Sequence, residues 1–487
     1  MKLIPRVFPS PFKQPSEEIQ YVHRLSERFT SLKKSGVKYI GLYTDNDAYM
    51  YYSILAIWKA GCAFVPINHK FPIDRLKTII KETGISAIIG NSKSVEAITT
   101  LGVEHILIND DIELSNNFLN DDSTIEITLP PEAPAYVLFT SGSTGVPKGI
   151  PISFKNISSF TEDIKERFPL TSSDKVLQTF ELSFDVSIGN AMMAWASGAC
   201  LYICPLDGII PVDAIKMTLE YKVNVIITTP STVNILKKYR ILGEVDLSFV
   251  DVSIFTGEAV PLHIINDWKK TASNSSIINA YGPTETTIWA TFHEYKESDV
   301  ISDNGLIPIG KASKYIDAHL YQDESVSSNP LQGELWLGGS QVFDGYINNP
   351  EKTKQALTSI DGKKYYRSGD LVQRMEDGGF IYLNRLDNQV KIQGYRVELG
   401  EVEFKIKQLL NISSCVVFAI SDENDATWLM AIMEKPSFSN EEKQLIQENI
   451  TYYMMPRKFV TVDQMPVNHS GKIDRQLLKA KYVTTTV

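Results

Sequence analysis

Residues 136–149, Tyr-Val-Leu-Phe-Thr-Ser-Gly-Ser-Thr-Gly-Val-Pro-Lys-Gly, begin as an apolar strand and empty into a loop of glycines, hydroxyls and one lysine. That composition suits polyphosphate. Gly142, Gly145 and Gly149 can bring backbone N–H groups close to an anion, Thr140, Ser141, Ser143 and Thr144 offer hydroxyl donors, and Lys148 adds charge. The loop is not a Walker A motif, which needs four residues between its first glycine and a Gly-Lys-Ser/Thr triplet. Here Pro147 stands where that triplet's glycine belongs, and Lys148 is followed by Gly149.

Outward from this loop, Val- and Ile-rich runs recur at 37–43, 63–67, 85–89, 135–139, 200–204, 223–228, 250–255 and 277–280. Amphipathic stretches at 48–59, 73–83, 187–196, 211–221 and 262–270 read as helices between them. Buried strands alternating with helices predict an α/β fold with largely parallel sheets. Beyond Pro308 the pattern shifts to short alternating strands, a β-rich subdomain. A polar stretch at 386–388 marks a boundary. It divides a large N-terminal domain, 1–386, from a small mobile α+β domain, 387–487, with strands at 389–392, 415–420 and 428–433 and helices at 400–410 and 441–452.

At 487 residues the chain exceeds one compact core, which agrees with that division. Asp and Glu outnumber Lys and Arg by 58 to 48, and no basic run is present, so nucleic acid is not expected as a partner. The N-terminus lacks a signal-peptide core and no apolar span reaches membrane length, which predicts a cytoplasmic protein that does not engage membranes. Cys62, Cys200, Cys204 and Cys415 are scattered. The one close pair would be held roughly 13 Å apart on a strand, beyond disulfide reach, so free thiols are expected.

Further motifs follow the loop in order: Asn279-Ala-Tyr-Gly-Pro-Thr-Glu-Thr-Thr, Tyr366-Arg-Ser-Gly-Asp-Leu, Asn384-Arg-Leu-Asp-Asn-Gln-Val-Lys-Ile-Gln-Gly-Tyr-Arg-Val-Glu and Asn468-His-Ser-Gly-Lys-Ile-Asp-Arg. Together they resemble the core motifs of the adenylate-forming superfamily: acyl-CoA synthetases, adenylation domains of nonribosomal peptide synthetases, and D-alanine–carrier-protein ligases. The resemblance runs from about Leu55 to Arg475; in residues 1–35 the usual opening motif is absent. It implies activation of a carboxylate by ATP to an acyl-adenylate, with loss of pyrophosphate, followed by transfer to a thiol.

The resemblance assigns residues to each task. Tyr281, followed by Gly282, would lie against adenine, with Gly257, Glu258 and Ala259 along the purine edge. Thr284 would donate to the α-phosphate and Glu285 would hold Mg²⁺, a hard cation suited to carboxylate and phosphate oxygens. Asp370 would accept from the ribose hydroxyls, with Arg385 adding a donor. Lys472 would bridge the substrate carboxylate and the α-phosphate, stabilising the charge that builds during attack. Asp387 matches the family hinge, and Lys391 and Gly394 lie on the loop facing the site during thiol transfer. Two departures stand out: Gln393 where arginine is common, and Phe154 where relatives often carry histidine.

Asp185, in Phe184-Asp-Val-Ser-Ile-Gly, resembles the peptide-synthetase aspartate that pairs with an amino acid's ammonium, although a helix N-cap is the alternative there. The same resemblance puts Val186, Gly189, Ile227, Ile254, Thr256, Ala280, Ile288 and Trp289 on the pocket walls. None is charged, and with Gly189 opening one wall while Trp289 fills another, a small or compact neutral side chain such as that of glycine, alanine, proline, valine or threonine is expected, with chirality open. Thr256 stands where D-alanine ligases usually have cysteine. Only fifteen residues follow Lys472, so the expected acceptor is the phosphopantetheine thiol of a separate carrier protein. An acyl-CoA synthetase and a catalytically silent nucleotide-binding regulator are the rival readings.

Overall fold

The computed structural model describes the chain except residues 44–45, 115–123, 143–146, 300, 303–304, 323–330, 388, 423–426, 468–472 and 484–487. Two sheets carry most of the large part. A six-stranded sheet runs, in spatial order, through His105–Ile108, Ala87–Gly90, Tyr39–Tyr43, Ala63–Ile67, Pro134–Thr140 and Lys148–Ser153; it is parallel except for its last pair. An eight-stranded sheet centres on the parallel neighbours Val225–Thr228, Val252–Thr256 and Ser276–Tyr281, and turns antiparallel at Thr291–Glu294. The Val- and Ile-rich runs form these strands because they are covered on both faces, as parallel strands require.

Helices Ala48–Lys59 and Ile73–Thr83 follow the sequence reading to the residue. The longest helices not anticipated are Pro15–Lys34, Phe154–Arg167 and Pro230–Lys238. The first occupies the region without the family's opening motif and packs on Ala48–Lys59. Ahead of it, Val7–Phe8 adds an edge strand to the eight-stranded sheet. Phe154 is buried with its ring 5.6 Å from that of Trp58, inside the core and away from the cleft described below.

A five-stranded, largely antiparallel sheet follows, built on Gln332–Gly339, Lys363–Arg374 and Phe380–Arg385. The last hundred residues contribute the hairpin Gln389–Ile392/Tyr395–Glu398, the helices Leu399–Leu410 and Asn440–Asn449, and a sheet of Cys415–Ser421, Thr427–Glu434 and Lys458–Val462. Two apolar clusters there, around Val402 and Met433 and around Met430 and Leu478, draw only on residues from 390 onward. All four cysteines are free. Among the described residues, no helix is long and apolar enough to cross a membrane.

Candidate active site

Parallel sheets gather ligands at the carboxyl ends of their strands. Here Thr140, Thr256 and Tyr281, each the last residue of its strand, line one cleft together with Asp185, Thr284, Asp370 and Arg385. The hairpin of residues 389–398 roofs it through Lys391, Gly394, Tyr395 and Arg396. A glycine at 394 is needed for that closure. Its φ of 84° lies in the region that L-residues rarely adopt, while the space itself would leave a Cβ in ordinary contact with Thr229 and the Phe184 ring at 3.4–3.6 Å.

At the phosphate end, Thr140 pairs with Lys148 across the antiparallel hairpin whose turn is the Gly-rich loop. Ser143, Thr144 and Gly145 lie outside the described residues, so only the loop's shoulders enter the geometry. The Thr140 hydroxyl is buried and makes no hydrogen bond among the described residues, a donor suited to an incoming oxygen. Its neighbours are engaged by the roof. Ser141 Oγ donates to the Arg396 carbonyl (2.8 Å), the Gly142 N–H donates to Glu401 Oε2 (2.9 Å), and Lys148 Nζ stands 3.6 Å from Glu398 Oε1. Glu401 also pairs with buried Arg75 at 3.2 Å.

Glu285 is fully buried, and its carboxylate accepts from Arg396 Nη1 at 2.8 and 3.0 Å and from the Tyr346 hydroxyl at 2.8 Å. Burial alone would raise its pKa. The charges of Arg396 and Lys148 and the Tyr346 hydroxyl outweigh burial and hold the carboxyl below its usual range, so it is ionised. A buried carboxylate that must keep a cation beside it fits Mg²⁺. Among the described residues no group of three or more His, Cys, Asp or Glu could hold a metal, so phosphate oxygens would have to complete the shell.

On the nucleoside side, a cavity of about 490 Å³ is lined by Gly257, Glu258, Ala259, Tyr281, Asp370 and Arg385, among others. Asp370 and Arg385 face each other across adjacent strands and are joined at 2.9 Å; the Tyr281 hydroxyl donates to the other Asp370 oxygen at 2.5 Å. Glu258 differs from its neighbours, because its carboxylate accepts from the Ser231 N–H and hydroxyl at the start of helix Pro230–Lys238. It meets the cavity with its side chain already committed. Arg385 also grips Asp387 through two bonds of 2.9 and 2.7 Å. Burial would raise the Asp387 carboxyl, but Arg385 overrides it and holds the group below its usual range.

Asp185 opens helix Asp185–Ser197 as its first helical residue, with Phe184 at the cap position, so the capping alternative does not describe it. Burial pushes its carboxyl up to about 6, and a hydrogen bond from Thr284 offsets part of the rise. Val186, Thr256 and Ile288 stand with it on the cavity wall, while Ile227, Ile254 and Trp289 are fully buried behind that layer. Ala280 turns to the nucleoside cavity instead. Gly189 does not open a wall as expected: Ile288 fills the space its missing side chain leaves.

Lys472 is outside the described residues. The flanking Ile473 packs in the cluster around Met430, and among the described residues none beyond Tyr453 lines the cleft. Sequence reading missed Arg396, Glu398, Glu401, Arg75 and Tyr346. Arg396 and Glu398 lie inside a quoted motif, but only contact geometry separates their roles from those of Lys391 and Gly394.

Residues 19–347 match the AMP-binding enzyme family. Gramicidin S synthase 1 of Brevibacillus brevis is 33% identical over 449 residues, 90% of this chain and 39% of that protein. The chain spans well under half the length of the curated relatives it matches. The Vibrio cholerae adenylation domain AlmE, solved in complex with glycyl-adenosine-5′-phosphate, superposes with a TM-score of 0.82 at 24% identity, covering 99% of this chain and 95% of that one. NpsA-ThdA, an artificially fused adenylation-PCP di-domain from Klebsiella oxytoca, superposes with a TM-score of 0.76 at 20% identity, covering 91% and 87%. At these identities the two structures speak for the fold. With the family match, the ordered motifs and the cleft in agreement, the chain belongs to the AMP-binding enzymes, the adenylate-forming ligases that include peptide-synthetase adenylation domains.

Proposed function

We propose that the protein joins an amino acid to AMP at the expense of ATP and then passes the aminoacyl group to the phosphopantetheine thiol of a carrier protein. The observation that carries this reading is Asp185: a buried carboxylate beside Thr284 whose wall neighbours Val186, Thr256 and Ile288 are uncharged, and whose pKa burial raises against only a weak opposing charge from Lys391. An ammonium would compensate it, whereas a fatty or aryl acid would leave it unpaired. The named relatives are peptide synthetases, and the Klebsiella di-domain pairs an adenylation domain with a PCP, which supports the carrier as acceptor.

In this reading a substrate carboxylate oxygen attacks the α-phosphorus and the bond to the β-phosphate breaks, releasing pyrophosphate. The thiol sulfur then attacks the carbonyl carbon and AMP leaves. Tyr281, Asp370 and Arg385 hold the nucleoside, Thr284 the α-phosphate, and Thr140, Ser141, Gly142 and Lys148 the departing phosphates. Glu285, once released from Arg396, would hold Mg²⁺, which would supply charge neutralisation on the phosphates. The chain divides at 386/387, since the apolar clusters beyond it are self-contained. Asp387 is the pivot, Lys472 serves adenylation, and the Lys391–Gly394 hairpin serves thiol transfer. The described arrangement, with that hairpin over the cleft, fits the second step.

The test is amino-acid-dependent ATP–pyrophosphate exchange over a panel of D and L amino acids and of fatty and aryl acids. Exchange with an amino acid is expected. Exchange driven by fatty or aryl acids alone, with coenzyme A sufficient for turnover, would replace this reading with an acyl-CoA synthetase.

A further inference from the structure

The wall opposite Asp185 is made by a turn that L-residues rarely adopt. Thr287 and Ile288 are both β-branched, yet their φ angles are 61° and 71°. Such a conformation persists only where surroundings impose it. Gln341 does so. It is fully buried, its backbone carbonyl accepts the Thr287 hydroxyl at 2.6 Å, and its side-chain amide donates to the Trp289 carbonyl at 3.0 Å and to the Thr286 and Thr287 carbonyls at 3.4 Å. Ser313 fixes the amide's orientation by donating to its oxygen at 2.7 Å.

The clamped turn drives Ile288 onto helix Asp185–Ser197, where Gly189 sits one turn beyond Asp185 on the same face. A Cβ on Gly189 would stand 3.1 Å from Ile288 Cγ2 and 3.5 Å from the Phe160 ring. The glycine gap is therefore the seat of the isoleucine and adds nothing to the cavity. On the third side the Trp289 indole donates to Thr256 Oγ1 at 2.9 Å, which closes the floor. With the 389–398 hairpin over it, the cleft as a whole has a volume of about 90 Å³.

We infer that Ile288, held in its turn by Gln341, seals the side-chain pocket at its mouth and makes glycine the substrate amino acid. The inference rests on the amino-acid reading above and deepens it. It also removes the question of chirality, because glycine has none. Ile288 is the specificity-determining residue and Gln341 its positioning residue.

The wild-type chain is assayed first, by ATP–pyrophosphate exchange with glycine, D- and L-alanine, D- and L-serine, L-valine and L-phenylalanine. Glycine is expected to exceed either alanine by about tenfold or more in kcat/KM, the discrimination a single methyl group can bring, and valine and phenylalanine are expected to be silent. A larger amino acid equal to or better than glycine overturns the proposal while leaving the amino-acid reading intact. Exchange with fatty or aryl acids only would instead remove the reading beneath it.

Ile288→Ala is then expected to lower the glycine-to-alanine ratio at least tenfold. Gln341→Met, which keeps bulk but loses the side-chain bonds, should lower it several-fold at unchanged KM for ATP; Gln341→Glu, which keeps the acceptor for Ser313, should restore part of it. Equal loss with glycine and alanine in the Gln341 variants would mark a purely structural role and overturn the clamp. If Ile288→Ala does not fold, the wild-type panel still decides.

Discussion

The Asp185 corner and the Glu285 corner both hold a buried carboxylate, yet they are completed by different parts of the chain. Around Asp185 the walls Val186, Thr256, Thr284 and Ile288 come from before 386, the 389–398 hairpin supplies the roof, and burial raises the carboxyl's pKa although Lys391 of that roof opposes the rise weakly. Around Glu285 the cation is present: Arg396, from the hairpin beyond the pivot, binds both oxygens, while Glu398 and Glu401 face Lys148 and the Gly142 N–H. The Glu285 corner already contains opposite charges in the places where a cation and phosphates would be gripped. In the proposed function, substrate selection belongs to the wall around Asp185, and the phosphate grip is contested between nucleotide and the chain's own C-terminal part.

The strongest way to break this contrast is Lys472→Ala. If the phosphate end needs a lysine brought in by the other arrangement of the small domain, adenylate formation should fall by about 10²–10³-fold or more. Thiol transfer from supplied aminoacyl-AMP should remain largely intact. Measuring the two half-reactions separately decides it, and equal losses would end the division of labour between Lys472 and the 389–398 hairpin. Next in size is Asp185→Asn, aimed at the other corner. Removing the charge that pairs with an ammonium in a buried site costs ~3 kcal/mol, so KM for the amino acid should rise roughly 10²-fold while KM for ATP changes little. A variant that raises both alike would show that Asp185 shapes the cleft as a whole.

The two corners also differed in how far their residues were legible in the sequence. Asp185, Tyr281, Glu285, Asp370 and Arg385 were found because motifs fix their spacing, and the strands that carry them were marked by doubly buried Val/Ile runs. Arg396 and Glu401 were missed because their partners lie 111 and 259 positions away, and no periodicity encodes a contact at that distance. Gly189 was misread for a related reason. A glycine in a pocket helix suggests space until one knows that Ile288, held by Gln341 from a distant strand end, fills it. Helix Phe154–Arg167 was overlooked although Ser153 caps it, because Asn156 stands where a capping box usually has Glu or Gln.

A smaller effect sharpens the contrast through pH. The Asp185 pKa rises on folding from 3.8 to about 6. Its burial cost is therefore absent below the unfolded value, grows as pH rises between the two, and is fully present above about 6. Binding of an ammonium needs the ionised form. KM for the amino acid should climb about tenfold per pH unit below about 6, with KM for ATP flatter over the same range. Asp185→Asn should abolish the difference in slope; if wild type already lacks it, the unpaired carboxylate is not the ammonium's partner.

The mildest perturbation is Glu401→Gln. The amide oxygen can still accept from the Gly142 N–H, but the charge opposite Arg75 is lost, and both groups are buried. A charge-assisted bond reduced to a neutral one weakens this arrangement by ~1 kcal/mol, about fivefold in its population. If ATP binding requires the Gly142 N–H to be released from Glu401, that weakening should leave adenylation unchanged or slightly faster. It should slow thiol transfer by a similar fivefold. Rates of the two half-reactions moving in opposite directions are what a shared phosphate corner demands; a parallel decline would mean that Glu401 only stabilises the fold and that the loop is not contested.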